Sequence, residues 1–316
     1  MGPAILKKQR GETLYSLRVL PLGGFCQMEG EDEDSPSDNA FNNKPIGSRV
    51  LVIIMGSAMN LLTGFIIILV LNMLAPALPT TTVEMFKQGV TPSQTAGLQV
   101  GDRIVQLNGE RMHITEDILF FMARLTGEDV DITVIRNGEK VLIHDVSFPY
   151  EEIGKEQLTG DFRDEGKMQK MYRTDFYVST QPKTIFSLLG KSFYKSIAIV
   201  KMVWISLFDL ISGQIPITDV SGPVGVTDAI GTAAKTGLLS LLNLLALLSI
   251  NLGVINLFPL PALDGGRLVF LVIEGIIGRP VPAKYEAYIH YGGFVLLIGL
   301  SVFLAYNDII RLIFRG

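Results

Sequence analysis

The residue with the clearest capacity for chemistry is a carboxylate in an apolar setting. Asp264 follows a stretch, Thr236 to Leu263, that carries no formal charge and is long enough to cross a bilayer core, which takes about 20 helical residues. A carboxylate near membrane depth costs roughly 2.5 to 3.5 kcal/mol on insertion scales, so it is expected to have a partner or a task. The residues around it read NLFPLPALDGGR, Asn256 to Arg267, and Pro259, Pro261, Gly265 and Gly266 rule out a continuous helix. Backbone groups freed at that depth must face protein or a water-filled cavity. One reading is a polar site inside a membrane protein. The other is that Asp264 ends a span at the headgroups and caps a short helix over Leu268 to Ile277.

The ordered pattern Asn256-x-x-Pro259-x-x-x-Leu263-Asp264-Gly265 favours the first reading. It resembles the second metal-site motif of the site-2 protease family, the zinc metalloproteases that cleave within membranes. The resemblance implies a Zn2+ cofactor, with Asp264 as its third protein ligand and Asn256, Pro259, Leu263 and Gly265 as support.

The elements that must position such a site follow from the clustering of charge. Among 316 residues the 48% apolar fraction is ordinary, but Val50 to Ala75 and Tyr291 to Tyr306 are further uncharged runs, so at least three spans are expected. A net charge of −4 excludes a general nucleic-acid binder, and the single cysteine, Cys26, excludes an internal disulfide and a cysteine-based zinc cluster. Met1 to Arg10 has no apolar core of the kind a secretory signal needs.

Residues 1–49 read as a cytoplasmic segment whose basic residues, among them Lys7, Lys8, Arg10 and Arg49, fit the positive-inside rule. Thr13 to Met28 alternates weakly and predicts a β-hairpin turning at Pro21 and Gly23-Gly24; its sequence resembles the family's membrane-associated β-loop. An edge strand there could hold an unwound substrate by strand addition. Glu29 to Asp38, six of whose ten residues are acidic, reads as a solvated loop. Residues 50–76 form the first transmembrane helix. In it, Gly56, Ser57 and Asn60 are similar to the family's Gly-Pro-x-x-Asn helix, with Ser57 at the usual proline and Asn60 implied to approach the catalytic centre. Small residues there are equally explained by close helix packing.

Residues 83–147, with AGLQVGDRIVQLNGERM and a closing hairpin through Asn137-Gly138, resemble a PDZ domain. Residues 148–235 are expected to be a linker, charged over 149–182, followed by an amphipathic membrane-surface helix, Ile185 to Ile211, with interleaved lysines and Trp204 as an interfacial anchor. Residues 236–316 complete the membrane domain with the motif helix and a final span. His113 and His144 are expected to be ordinary surface or packing residues, and His290 an interfacial one satisfied by water and headgroups.

The expected fold class is therefore a multi-span α-helical membrane protein with a β-hairpin membrane-associated loop and an inserted, mainly β PDZ domain. The resemblance, closest to RseP-type members, implies a bacterial inner-membrane endopeptidase for regulated intramembrane proteolysis. Its partners would be the lipid bilayer and single-pass membrane substrates such as anti-sigma factors or signal-peptide remnants. The family's first helix also carries His-Glu-x-x-His, which supplies two ligands and a catalytic base. No such motif occurs in the sequence. The expectation is a chain begun at an internal methionine, short of about 40 residues including that helix, and inactive alone. The competing function is a pseudoprotease, a binding module that retains membrane proteins without cutting them. In-frame DNA upstream encoding an apolar His-Glu-x-x-His helix would favour the enzyme, and a promoter there the binding module.

Overall fold

A computed structural model describes residues 3–19, 26, 28–30, 36–89, 91–127, 129–154 and 168–314. The chain divides into two units, Met1–Val52 and Ile53–Gly316. In the first, β1 (Ala4–Arg10) pairs antiparallel with β2 (Thr13–Arg18), Arg10 opposite Thr13. Gly11 makes the two-residue turn by taking φ +63, a value that favours glycine. The predicted turn at Pro21 and Gly23-Gly24 lies outside the described residues, and the hairpin observed falls one strand earlier. Its first strand was obscured by composition, since Lys7, Lys8, Gln9 and Arg10 break any apolar alternation. Ile5, Leu6, Leu14, Tyr15 and Leu17 are all exposed on it.

The helix α1 (Ile46–Leu74) leads into the second unit, which begins at Ile53 and combines a sheet with membrane-length helices. The sheet contains β3 (Leu78–Phe86), β4 (Arg103–Leu107), β5 (Glu110–Arg111), β6 (Val130–Arg136), β7 (Glu139–Val146) and β10 (Phe176–Gln181), with a separate ribbon of β8 (Tyr150–Gly154) and β9 (Met168–Tyr172). The sheet order is β10-β3-β4-β6-β7, with β5 paired to β4. Two-residue turns set its register. Asn137 and Gly138 at φ +50 and +88 join β6 to β7, and Asn108 and Gly109 at +44 and +79 join β4 to β5. Two short helices, α2 (Pro92–Thr95) and α3 (Thr115–Arg124), lie between strands.

The AGLQVGD segment is anchored by a buried ion pair. Asp102, 1% exposed, accepts from Arg136 Nε and a terminal guanidinium nitrogen, both at 2.7 Å, and Arg136 also donates to the Gly97 carbonyl. The hydrogen bond to Asp102 raises the Arg136 pKa above its usual value.

The described part of residues 149–182, expected to be a linker, is largely strand. Strands β8, β9 and β10 form there, and β10 completes the edge of the main sheet against β3. Phe148, Tyr172 and Phe176 join Ile104, Leu107 and Ile132 in one core, although they lie outside residues 83–147. The sequence hid this because each segment contributes only one or two core side chains between charged neighbours. A fragment of residues 77–182 is therefore expected to unfold cooperatively on heating, and one of 83–147 to melt lower or without a transition. Circular dichroism of the two fragments checks this.

The helix α4 (Ile185–Ile211) starts at a reciprocal cap, Thr184 Oγ1 accepting from the Ser187 amide and Ser187 Oγ from the Thr184 amide. Its lysines have protein partners. Lys191 donates to the Pro79 carbonyl at 2.8 Å, Lys191 and Lys195 flank Glu116, and Lys201 pairs with Glu110 at 2.7 Å. Burial lowers the Lys191 pKa, against the opposing pull of Glu116. The polar side of α4 thus faces the sheet, while Val203 packs with Ile68, Ala246, Ile250 and Val254 in a second core.

The remaining helices are α5 (Pro223–Thr236), α6 (Leu238–Asn256), α7 (Asp264–Ile277) and α8 (Ala283–Phe314). Among the described residues three helices are long and apolar enough to cross a membrane: Ile46–Leu74, Leu238–Asn256 and Lys284–Ile313. Glycines let α1 and α6 approach closely. A Cβ on Gly253 would stand 3.0 Å from Leu61 Cγ and from the Ser57 carbonyl oxygen, and one on Gly64 would stand 3.1 Å from the Ala246 carbonyl oxygen.

Candidate active site

The break between α6 and α7 is built by its own sequence. Helix α6 tightens at its end, with Leu257 and Phe258 amides donating to Val254 and Ile255, and Pro259 and Pro261 then prevent continuation. Ala262 takes φ +73, uncommon for a residue with a Cβ. Leu263 returns to extended backbone, and Asp264 opens α7. The chain folds back so tightly that Gly265 lies against the backbone of Leu257 and Phe258, and Gly266 against that of Leu260 and Pro261. Both glycines are required by these approaches.

Asp264 is half-buried and faces α1, since a Cβ on Gly56 would stand 3.8 Å from its Oδ2. Asn60 follows Gly56 by four residues, hence on the same side of α1. Its carbonyl accepts from Ser249 Oγ of α6 at 2.8 Å. Ser57 is fully buried, and its Oγ has no hydrogen-bond partner among the described residues. Asn256 and Leu263 are half-buried at the two ends of the break, and Pro259 is exposed between them. Gly56 and Asp264 are therefore brought together, whereas no contact joins the Asn60 or Asn256 side chain to the carboxylate among the interactions described.

His290, expected to be satisfied by water and headgroups, has protein partners instead. Its Nδ1 accepts the Ala262 amide at 2.9 Å, and its ring packs at 5.6 Å on Phe270 of α7. The other two histidines fit ordinary roles, His113 stacked on Tyr194 and His144 beside Asp131. Sequence reasoning also missed Asp308. This carboxylate, 3% exposed, accepts the Gly225 amide at 2.7 Å and so fixes the first turn of α5 to α8. A Cβ on Gly222 or Gly225 would crowd it. Arg311, one turn on, donates to the Thr218 carbonyl and lies 3.5 Å from Asp219. A charge late in an apolar helix, together with the SGPVG turn at residues 221–225, was the available signal.

The sequence profile of Peptidase family M50 matches residues 1–300. The chain belongs to that family. The regulator of sigma-W protease RasP of Bacillus subtilis is 32% identical over 394 aligned residues, covering 98% of this chain and 90% of the relative. The zinc metalloprotease RasP of Shouchella clausii is 29% identical, covering 99% and 90%. A Clostridium perfringens protein, named provisionally as a zinc metalloprotease, is 33% identical, covering 98% and 88%. By family, then, the M50 chain is a peptide hydrolase, and its three membrane-length helices agree with a membrane protein.

A catalytic zinc site takes three protein ligands and leaves a fourth position for water. Among the described residues of this M50 chain no three histidine, cysteine, aspartate or glutamate side chains stand together. The donors among the described residues do not by themselves fit a complete zinc site.

Proposed function

We propose that the protein is an intramembrane metalloendopeptidase that cuts single-pass membrane proteins, with Asp264 supplying one ligand of a zinc site. The observation that carries this reading is the carboxylate at the break between two apolar helices, faced by Gly56 of a third. A broken helix at that depth needs a polar cavity, and such a cavity is what a water-dependent cleavage requires. The two remaining ligands and the base belong, in this reading, to a His-Glu-x-x-His helix beyond the 316 residues.

The sheet between Leu78 and Gln181 takes the part of a PDZ domain that filters substrates by size or terminus. The hairpin of β1 and β2 offers an edge for an unwound segment, whose own amides must otherwise stay paired within a helix. Anti-sigma factors trimmed by a first protease are a fitting substrate class, given the Bacillus relative's name. The ligand count also supports the second reading, a pseudoprotease that binds membrane proteins without cutting them.

Mass-spectrometric mapping of the products from a single-pass reporter, made by membranes containing the protein in a form that also carries a His-Glu-x-x-His helix, tests the proposal. The expected cut lies inside the reporter's apolar segment. A cut confined to its soluble part, or binding without any cut, would overturn it.

A further inference from the structure

The Ala262 turn needs an outside hold. Its left-handed backbone is disfavoured for a residue with a Cβ, and such strain persists only where the surroundings over-determine it. The surroundings come from α8. His290 Nδ1 accepts the Ala262 amide, and Gly293, one turn on, leaves room for Pro261, whose carbonyl carbon and oxygen would lie 2.7 Å from a Cβ there. The same imidazole packs on Phe270. It therefore touches the chain on both sides of Asp264, two residues after the turn and six before the phenyl ring. Because Nδ1 accepts, the neutral ring carries its hydrogen on Nε2. That nitrogen is buried without a hydrogen bond among the described residues, and Glu286 Oε1 is 3.9 Å away.

We infer that His290 is a positioning residue: it locks the left-handed turn at Ala262 and thereby fixes where the Asp264 carboxylate points. The lock stands on this geometry alone, and its importance for cleavage rests on the reading of Asp264 given above. His290 touches no reacting atom and needs only an acceptor at the Nδ1 position. Asparagine can place a carbonyl oxygen near there, whereas glutamine places its own nearer the Nε2 position.

Residue-resolved amide exchange of the full chain in nanodiscs tests this. His290→Leu is expected to speed exchange at Ala262 about tenfold, as loss of one sheltered hydrogen bond implies. His290→Asn should stay within about threefold of the parent, and His290→Gln should behave like the leucine variant. Asp264→Ala should leave Ala262 protected. Parental protection in His290→Leu, rescue by Gln equal to that by Asn, or lost protection in Asp264→Ala would each overturn the lock. Should His290→Leu fail to fold, the 15N spectrum of the parent imidazole decides: hydrogen on Nε2 is expected, and hydrogen on Nδ1 overturns the inference. If His290→Leu frees the Ala262 amide yet leaves reporter cleavage unchanged in the form that also carries a His-Glu-x-x-His helix, the lock holds and the catalytic reading of Asp264 fails.

Discussion

Asp264→Ala is expected to remove zinc binding and proteolysis together in a form that also carries a His-Glu-x-x-His helix. Zinc should fall from about one per chain to near zero after dialysis, and cleavage by roughly a thousandfold or more, since a catalytic metal contributes several kcal/mol of transition-state stabilisation. The argument is one of ligand count. Two imidazoles with Asp264 make the three-ligand set that leaves one position open, and two imidazoles alone leave the metal exchangeable. For the 316 residues by themselves the same count is expected to give weak, exchangeable zinc and no cleavage, because among the described residues no group of three metal-ligating side chains forms. Zinc stoichiometry of both forms, each with and without Asp264→Ala, measures this. Near one zinc per chain in the short form, surviving the substitution, would place the site elsewhere.

What could be read in advance follows from which interactions are local. The three apolar helices were legible because Val50 to Ala75, Thr236 to Leu263 and Tyr291 to Tyr306 lack charge, and hydropathy needs no knowledge of neighbours. The β6–β7 turn was legible because Asn137 and Gly138 tolerate positive φ, a property of the residues themselves. Strand β10 was not, since Phe176 counts as core only once β3 lies beside it. The partners of the α4 lysines were hidden for a related reason. Spacing marks a polar stripe, but it does not say whether water, headgroups or Glu110 and Glu116 will face it.

The candidate site divides in the same way. Asp264 and its glycines sit within one short motif, so their pattern could be seen. The long-range holds of α8 are not local: His290 reaches Ala262 across 28 residues, and Asp308 reaches Gly225 across 83. Helix α8 thus holds the motif turn near one end and the SGPVG turn near the other. Neither role is visible in its hydropathy.

Gly265→Ala is expected to be the most damaging single-methyl change in the motif, and Gly56→Ala, across from it, among the mildest. A Cβ on Gly265 would stand 2.5 Å from the carbonyl carbon and oxygen of Leu257 and closer still to the Phe258 carbonyl. These are backbone atoms at the end of α6, so no rotamer change can relieve the overlap. Overpacking typically costs 1 to 3 kcal/mol and occasionally more, and contact with fixed main chain puts this case at about 3 kcal/mol or above. Either the protein loses that stability, or the α6–α7 hairpin opens and carries Asp264 away from Gly56. A Cβ on Gly56 meets only Asp264 Oδ2, at an ordinary 3.8 Å, and alanine is the better helix former by about 1 kcal/mol. Its stability should therefore be unchanged or slightly raised. Thermal unfolding of both variants in the same detergent separates the cases, with Gly265→Ala melting many degrees lower. Equal melting temperatures would mean that the α6–α7 break is looser than its close backbone packing implies, and that glycine at position 265 is not required by space.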